Sequence, residues 1–131
     1  MIVLDTHAWI WWVADPRRLS APARQRVDQA VEDSAVHVSA ISCWEISLLV
    51  RRGRLELSMP LEEWIRHSEL LPYLHFVAVD PQIALLSNAL PGPWHQDPAD
   101  RIILATALHL GASLVTKDSK LRRLRSVPTV W

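Results

Sequence analysis

Cysteine, glycine and net charge are all scarce in this 131-residue chain, and each shortage removes a class of function. The lone cysteine, Cys43, excludes an intrachain disulfide and a thiolate metal cluster, and it fits a reducing, cytoplasmic setting. Three glycines, at 53, 92 and 111, are too few and too scattered for a glycine-rich phosphate loop. Lys and Arg number 14 and so do Asp and Glu, so the whole surface has no charge excess with which to hold nucleic acid; only local basic patches remain for that. No apolar run approaches the roughly 20 residues of a membrane-spanning helix. Asp5 interrupts an N-terminus that carries no basic segment, so no signal peptide is expected.

What is present is apolar residue, half of the chain, and tryptophan, seven times. That much apolar surface predicts a folded globule, and the length predicts one domain over residues 1–131. Ile2-Val3-Leu4 reads as a short strand buried on both faces, with Asp5 where it stops. Ala8 to Ala14 reads as a helix dense in tryptophan, and Ser20 caps another that runs to about Asp33. Ala35 to Ala40 is a second strand, followed by a helix opened by the capping-box pattern Ser42-Cys43-Trp44-Glu45 and closed by Gly53. Leu61 to Leu71 is helical, and Phe76 to Val79 is a third strand. Asp80-Pro81 and Asp97-Pro98 each start a helix, the first running to about Leu90 and the second to Leu110, with the break Pro91-Gly92-Pro93 between them. Ser113 to Thr116 is a fourth strand, Lys117 to Leu124 a basic helix or turn, and Val127 to Trp131 an edge strand because it holds Pro128. Strands alternating with helices predict an α/β fold, a mostly parallel sheet of about five strands with helices on both faces.

Four carboxylates fall at strand ends or helix starts: Asp5, Glu45, Asp100 and Asp118. In a parallel sheet those junctions share one edge, where open α/β folds keep their ligands. Each acid also has an ordinary reading. Asp5 and Asp97 can cap helices, Glu45 can complete its capping box, Asp100 can complement a helix dipole, and Asp118 can sit in a turn. Thr6 and Thr116 can bond the carboxylates or merely close their own turns. His95, two residues before Asp97, reads as a surface loop residue, and the tryptophans read mostly as core. Four converging charges repel, and helix dipoles offset only about 0.3–1 kcal/mol each, so convergence implies a bound cation. Oxygen-only ligands select Mg²⁺ or Mn²⁺, the ions of phosphodiester hydrolysis. The basic run Lys117, Lys120, Arg122, Arg123 and Arg125 flanks Asp118, where a phosphate backbone would lie; Arg51, Arg52 and Arg54 form a second basic cluster.

Leu4-Asp5-Thr6-His7, Ser39 to Ile46, His95 to Arg101 and Leu114 to Asp118 together resemble the four signatures of PIN domains, in order and across nearly the whole chain. The nearest subgroup in pattern is the VapC-type toxin ribonucleases of bacterial toxin–antitoxin pairs. The resemblance implies a three-layer α/β/α sandwich and an endoribonuclease dependent on Mg²⁺ or Mn²⁺ that leaves 5′-phosphate and 3′-hydroxyl ends. It maps the metal and catalytic acids onto Asp5, Glu45, Asp100 and Asp118, with Thr6 and Thr116 in support and Asp97 as an accessory acid. It also implies a homodimer silenced by a VapB-type antitoxin. Ala99 departs from the pattern, standing where a bulky apolar residue is common. A catalytically silent partner-binding module is the alternative from another class, while an aspartyl-phosphate phosphatase fits poorly because His7 stands where its second Asp would be.

Overall fold

The computed structural model describes residues 1–131. Strands β1 (Ile2–Leu4), β2 (Val36–Ser39), β3 (Leu74–Val77), β4 (Ser113–Val115) and β5 (Thr129–Val130) form one sheet in the order β3-β2-β1-β4-β5. Every neighbouring pair is parallel. The helices are α1 (Thr6–Ala14), α2 (Ala21–Glu32), α3 (Ala40–Arg51), α4 (Leu61–Glu69), α5 (Pro81–Ser87), α6 (Pro98–Leu110) and α7 (Ser119–Leu124).

Alternation along β1 divides the core. Ile2 and Leu4 face a cluster with Trp9, Ile10, Val27, Ile46 and Trp64, while Val3 faces the opposite cluster with Ile103, Leu104, Leu114 and Leu121. Helices therefore cover both faces, and central β1 is wholly apolar, as the three-layer expectation requires. Only Trp9 and Trp64 of the seven tryptophans are fully buried; Trp44 and Trp94 are more than half exposed. Trp11, Trp12 and Trp131 are partly buried against the main core, so the expectation of a mostly core role is corrected only for Trp44, on the open face of α3, and Trp94, in a surface loop.

Several boundaries move for a physical reason. α1 starts at Thr6, two residues before the expected Ala8, because Asp5 itself is the cap. α3 starts at Ala40, directly after β2, with Ser39 as its cap through a hydrogen bond from the Ile41 amide. Ser42 is thus inside the helix and fully buried, and the expected Ser42–Glu45 capping box does not form. β3 lies two residues earlier than expected: its register ends at Ser39↔Val77, and β2 offers no partner to residues 78 and 79 once α3 has begun. α4 stops at Glu69, short of the expected Leu71, and α5 stops at Ser87 rather than near Leu90; Pro91 keeps Leu90 itself out of helical backbone. β5 shrinks to the two residues that face Leu114 and Val115.

The strand order creates a switch point. The chain leaves β1 toward β2 and β3, then crosses back to place β4 on β1's other side. A crevice opens between the carboxyl ends of two such strands, and α/β folds bind ligands there.

Candidate active site

Asp5 and Thr116 sit on the two lips of that crevice. Thr116, fully buried past the end of β4, donates its hydroxyl to Asp5 Oδ2 at 2.7 Å across 111 residues of sequence. The Thr6 amide donates to Asp5 Oδ1 at 2.8 Å. Asp5 therefore caps a helix and lines the crevice together, with one lone pair on each oxygen still free.

α3 brings Glu45 to the same place from one turn deeper than the capping-box reading supposed. Thr6 Oγ1 lies 2.6 Å from Glu45 Oε1 and 2.9 Å from Ser42 Oγ. One hydroxyl holds one proton, so Thr6 donates to the carboxylate and accepts from Ser42. Ser42 is thus turned inward to steady a threonine.

α6 supplies two acids from its first turn and the loop before it. Asp97 caps the helix, accepting from the Ala99 amide at 2.9 Å and the Asp100 amide at 3.4 Å. Asp100 Oδ2 accepts from His95 Nε2 at 2.9 Å, and both side chains are largely covered. The surface reading of His95 is corrected here. Arg101 makes the difference: its guanidinium donates to the carbonyls of His95 at 2.6 Å and Gln96 at 3.2 Å and lies 4.1 Å from the Trp94 ring centre. Its Nε is buried without a partner. Asp118 completes the set as the cap of α7, accepting from the Lys120 amide at 2.8 Å, while its own amide donates to Thr116 at 3.1 Å.

Asp5, Glu45, Asp97, Asp100 and Asp118 line one cavity of about 470 Å³, with Thr6 among them. Glu45, Asp97 and Asp100 each offer an oxygen within 4.8 Å of the others. His7, Trp11 and Lys117 form the remaining wall. Trp11 is covered by Arg18, 4.5 Å from its ring centre, with the Lys117 ammonium 5.7 Å away. Of this wall, only Lys117 has a role legible in the sequence, beside a phosphate backbone; His7 and Trp11 stand four apart on a helix, the spacing of one face, and the part Arg101 plays carries no local signal.

The electrostatics ask for a cation. Burial pushes Glu45 up to about 7, against which the Thr6 hydroxyl pulls it down, while Asp100, Asp5 and Asp97 push it further up. Burial likewise pushes Asp100 up to about 6, with the His95 hydrogen bond opposing and Asp5 and Asp97 adding to the rise. Asp5 is raised by burial too, despite its bonds from Thr116 and Thr6. Metal-free, the cluster keeps protons that isolated carboxylates shed. An all-oxygen donor set of this closeness and charge fits a hard divalent ion.

The sequence matches the PIN domain family over residues 2–127. It is 39% identical over 132 residues to Ribonuclease VapC22 of Mycobacterium tuberculosis, covering 99% of this chain and 98% of that protein. The fold is similar to a DNA-bound VapBC from Salmonella typhimurium, with a TM-score of 0.67, 19% identity, and 98% of this chain and 95% of that one covered. It is also similar to VapBC2 from Rickettsia felis bound to a promoter DNA fragment, with a TM-score of 0.68, 14% identity, and coverage of 98% and 97%. With the family profile and the relative both spanning nearly its whole length, the chain belongs to the PIN-domain family, in its VapC-type branch.

Proposed function

We propose that the chain is a metal-dependent endoribonuclease, the toxin of a toxin–antitoxin pair, hydrolysing RNA phosphodiester bonds with Mg²⁺ or Mn²⁺. Five carboxylates in one cavity at the switch point of the sheet carry the proposal. The full-length likeness to a protein named a ribonuclease, and the similarity in fold to VapBC complexes, support the activity, the antitoxin partner and the RNA substrate. A homodimer and a cytoplasmic setting belong to the same proposal. No helix is long and apolar enough to cross a membrane.

Asp5, Glu45, Asp100 and Asp118 are the proposed ligands and catalytic acids, and Asp97 is accessory. When bound, the ion would supply a Lewis acid at the phosphoryl oxygen and an acidified water. The chain's own residues do the rest. Thr116 and the Thr6 amide hold the Asp5 carboxylate in one rotamer, so its free lone pairs face the cavity. Thr6 fixes Glu45 Oε1 and leaves Oε2 free for the ion or for a water on it. His95 orients Asp100. Lys117, on the opposite wall, offers a cation to a phosphate beside the scissile one.

The test is cleavage of an RNA panel in Mg²⁺ or Mn²⁺, with and without EDTA, by wild type and Asp5→Asn. Removing one preorganised charge should cost about 10²–10³-fold in rate. Equal activity in the two proteins would overturn the site assignment. Growth arrest on expression, relieved by Asp100→Asn, separates a nuclease from a silent partner-binding module.

A further inference from the structure

A second groove of about 490 Å³ opens directly beside the acid cavity and shares Glu45 and Asp97 with it. Its floor is Leu48, Leu49 and Pro98, and Trp44 and Arg52 stand along its α3 side. Trp44, Leu48 and Arg52 are four residues apart in turn, so they form one stripe that leads away from the acids along α3. Eight residues of helix span about 12 Å.

Trp44 differs from the other exposed tryptophan. Trp94 is covered by the Arg101 guanidinium, and half-buried Trp11 by Arg18. Trp44 is 57% exposed, and no ring or cation of its own chain lies on it. A bare indole beside a phosphate-handling site, with an exposed arginine two turns further on, is the arrangement that single-stranded nucleic acid uses: a base stacks on the ring and a phosphate meets the cation. The acids alone would repel such a strand, and Arg52 in the same groove offers its phosphates a counter-charge.

We propose that this groove is a single-stranded RNA subsite. A nucleobase next to the scissile phosphate stacks on Trp44, and the following backbone phosphate reaches Arg52. The subsite rests on the nuclease reading above and names the side chains that would seat the strand beside the acids.

Two measurements separate the two ideas. The first is equilibrium binding of a fluorescein-labelled single-stranded oligoribonucleotide by anisotropy in Ca²⁺, which does not depend on turnover. The second is steady-state cleavage of the same oligonucleotide in Mn²⁺. Trp44→Ala should weaken binding and raise KM about 5- to 100-fold with little change in kcat, and Trp44→Phe should restore most of the loss. Arg52→Ala should reduce the slope of log affinity against log salt by about 0.7, the loss of one single-strand phosphate contact. Trp44 is exposed, so a thermal melt should find the variant folded. Unchanged RNA affinity in Trp44→Ala overturns the subsite, including when the variant alters oligomeric mass or antitoxin binding instead, because the groove then belongs to a protein surface. Trp44-dependent binding without cleavage would leave the subsite standing and overturn the nuclease reading; cleavage indifferent to Trp44 would do the reverse.

Discussion

Two walls of the acid cavity hold their carboxylates by different means. On one, Asp5 sits at the end of a central strand, buried, with Thr116 on the neighbouring strand bonded to it. On the other, Asp97 and Asp100 follow a loop that contains Pro91-Gly92-Pro93, and the side chains of Arg101, His95 and the capping Asp97 tie that loop to α6. The strand-end wall inherits its rigidity from the core, since moving Asp5 would move β1. The loop wall is pinned by side chains on a surface segment, where the backbone has few other bonds. Placement of Asp5 therefore follows from the sheet itself, while placement of Asp100 depends on a cation laid across carbonyls.

Four variants test that contrast. Thr116→Val should be the most damaging. It leaves Asp5 Oδ2 without its donor in a buried site, so divalent-ion affinity and activity should fall about 10–100-fold, as for partners of metal-ligating groups, and stability by about 1–3 kcal/mol. Titration with Mn²⁺ and a urea melt measure both. Arg101→Ala should lower activity about 10-fold and raise hydrogen exchange in residues 91–97 while leaving β1 and β4 protected. If Arg101→Ala instead exposes the strand ends, the walls are one unit and the contrast is wrong. His95→Gln, which keeps a donor but not the ring, should cost only a few-fold in Mn²⁺ affinity.

The smallest effect is on stability. Glu45 and Asp100 are raised from 4.5 and 3.8, so the unfolded chain sheds those protons first as pH increases. Their contribution to stability is full below about pH 4 and is lost as pH climbs toward 7. The metal-free protein should thus lose melting temperature between pH 5 and 8, and Mn²⁺ should restore it. Asp100→Asn should raise the metal-free melting temperature at pH 8 by about 3–6 °C, or about 1 kcal/mol after allowing for solvent screening. A fall in that variant would mean that the His95 bond outweighs the buried charge.

Much of this arrangement was legible beforehand. The acids at the ends of apolar runs, the Asp-Pro helix starts and the glycine stop at Gly111 are local signals, decided by residues within a turn of one another. The Ser42–Glu45 pattern misled for the same reason. It is a sound local cap, but β2 runs straight into α3, Ser39 takes the capping role, and Ser42 turns to Thr6. His95 looked like an isolated loop residue because the group that orders its loop, Arg101, lies on the following helix, outside any signal that the loop itself carries.

The sequence by itself determined which segments become strands and helices and which acids end up at their junctions. Backbone propensity, apolar period and capping are short-range and act before the chain folds back on itself. Only the tertiary structure decided which oxygens meet. β1 finds β4 rather than another strand because sheet order is chosen by packing both faces of the core together, and no local rule carries that choice across the separation of 111 from Asp5 to Thr116.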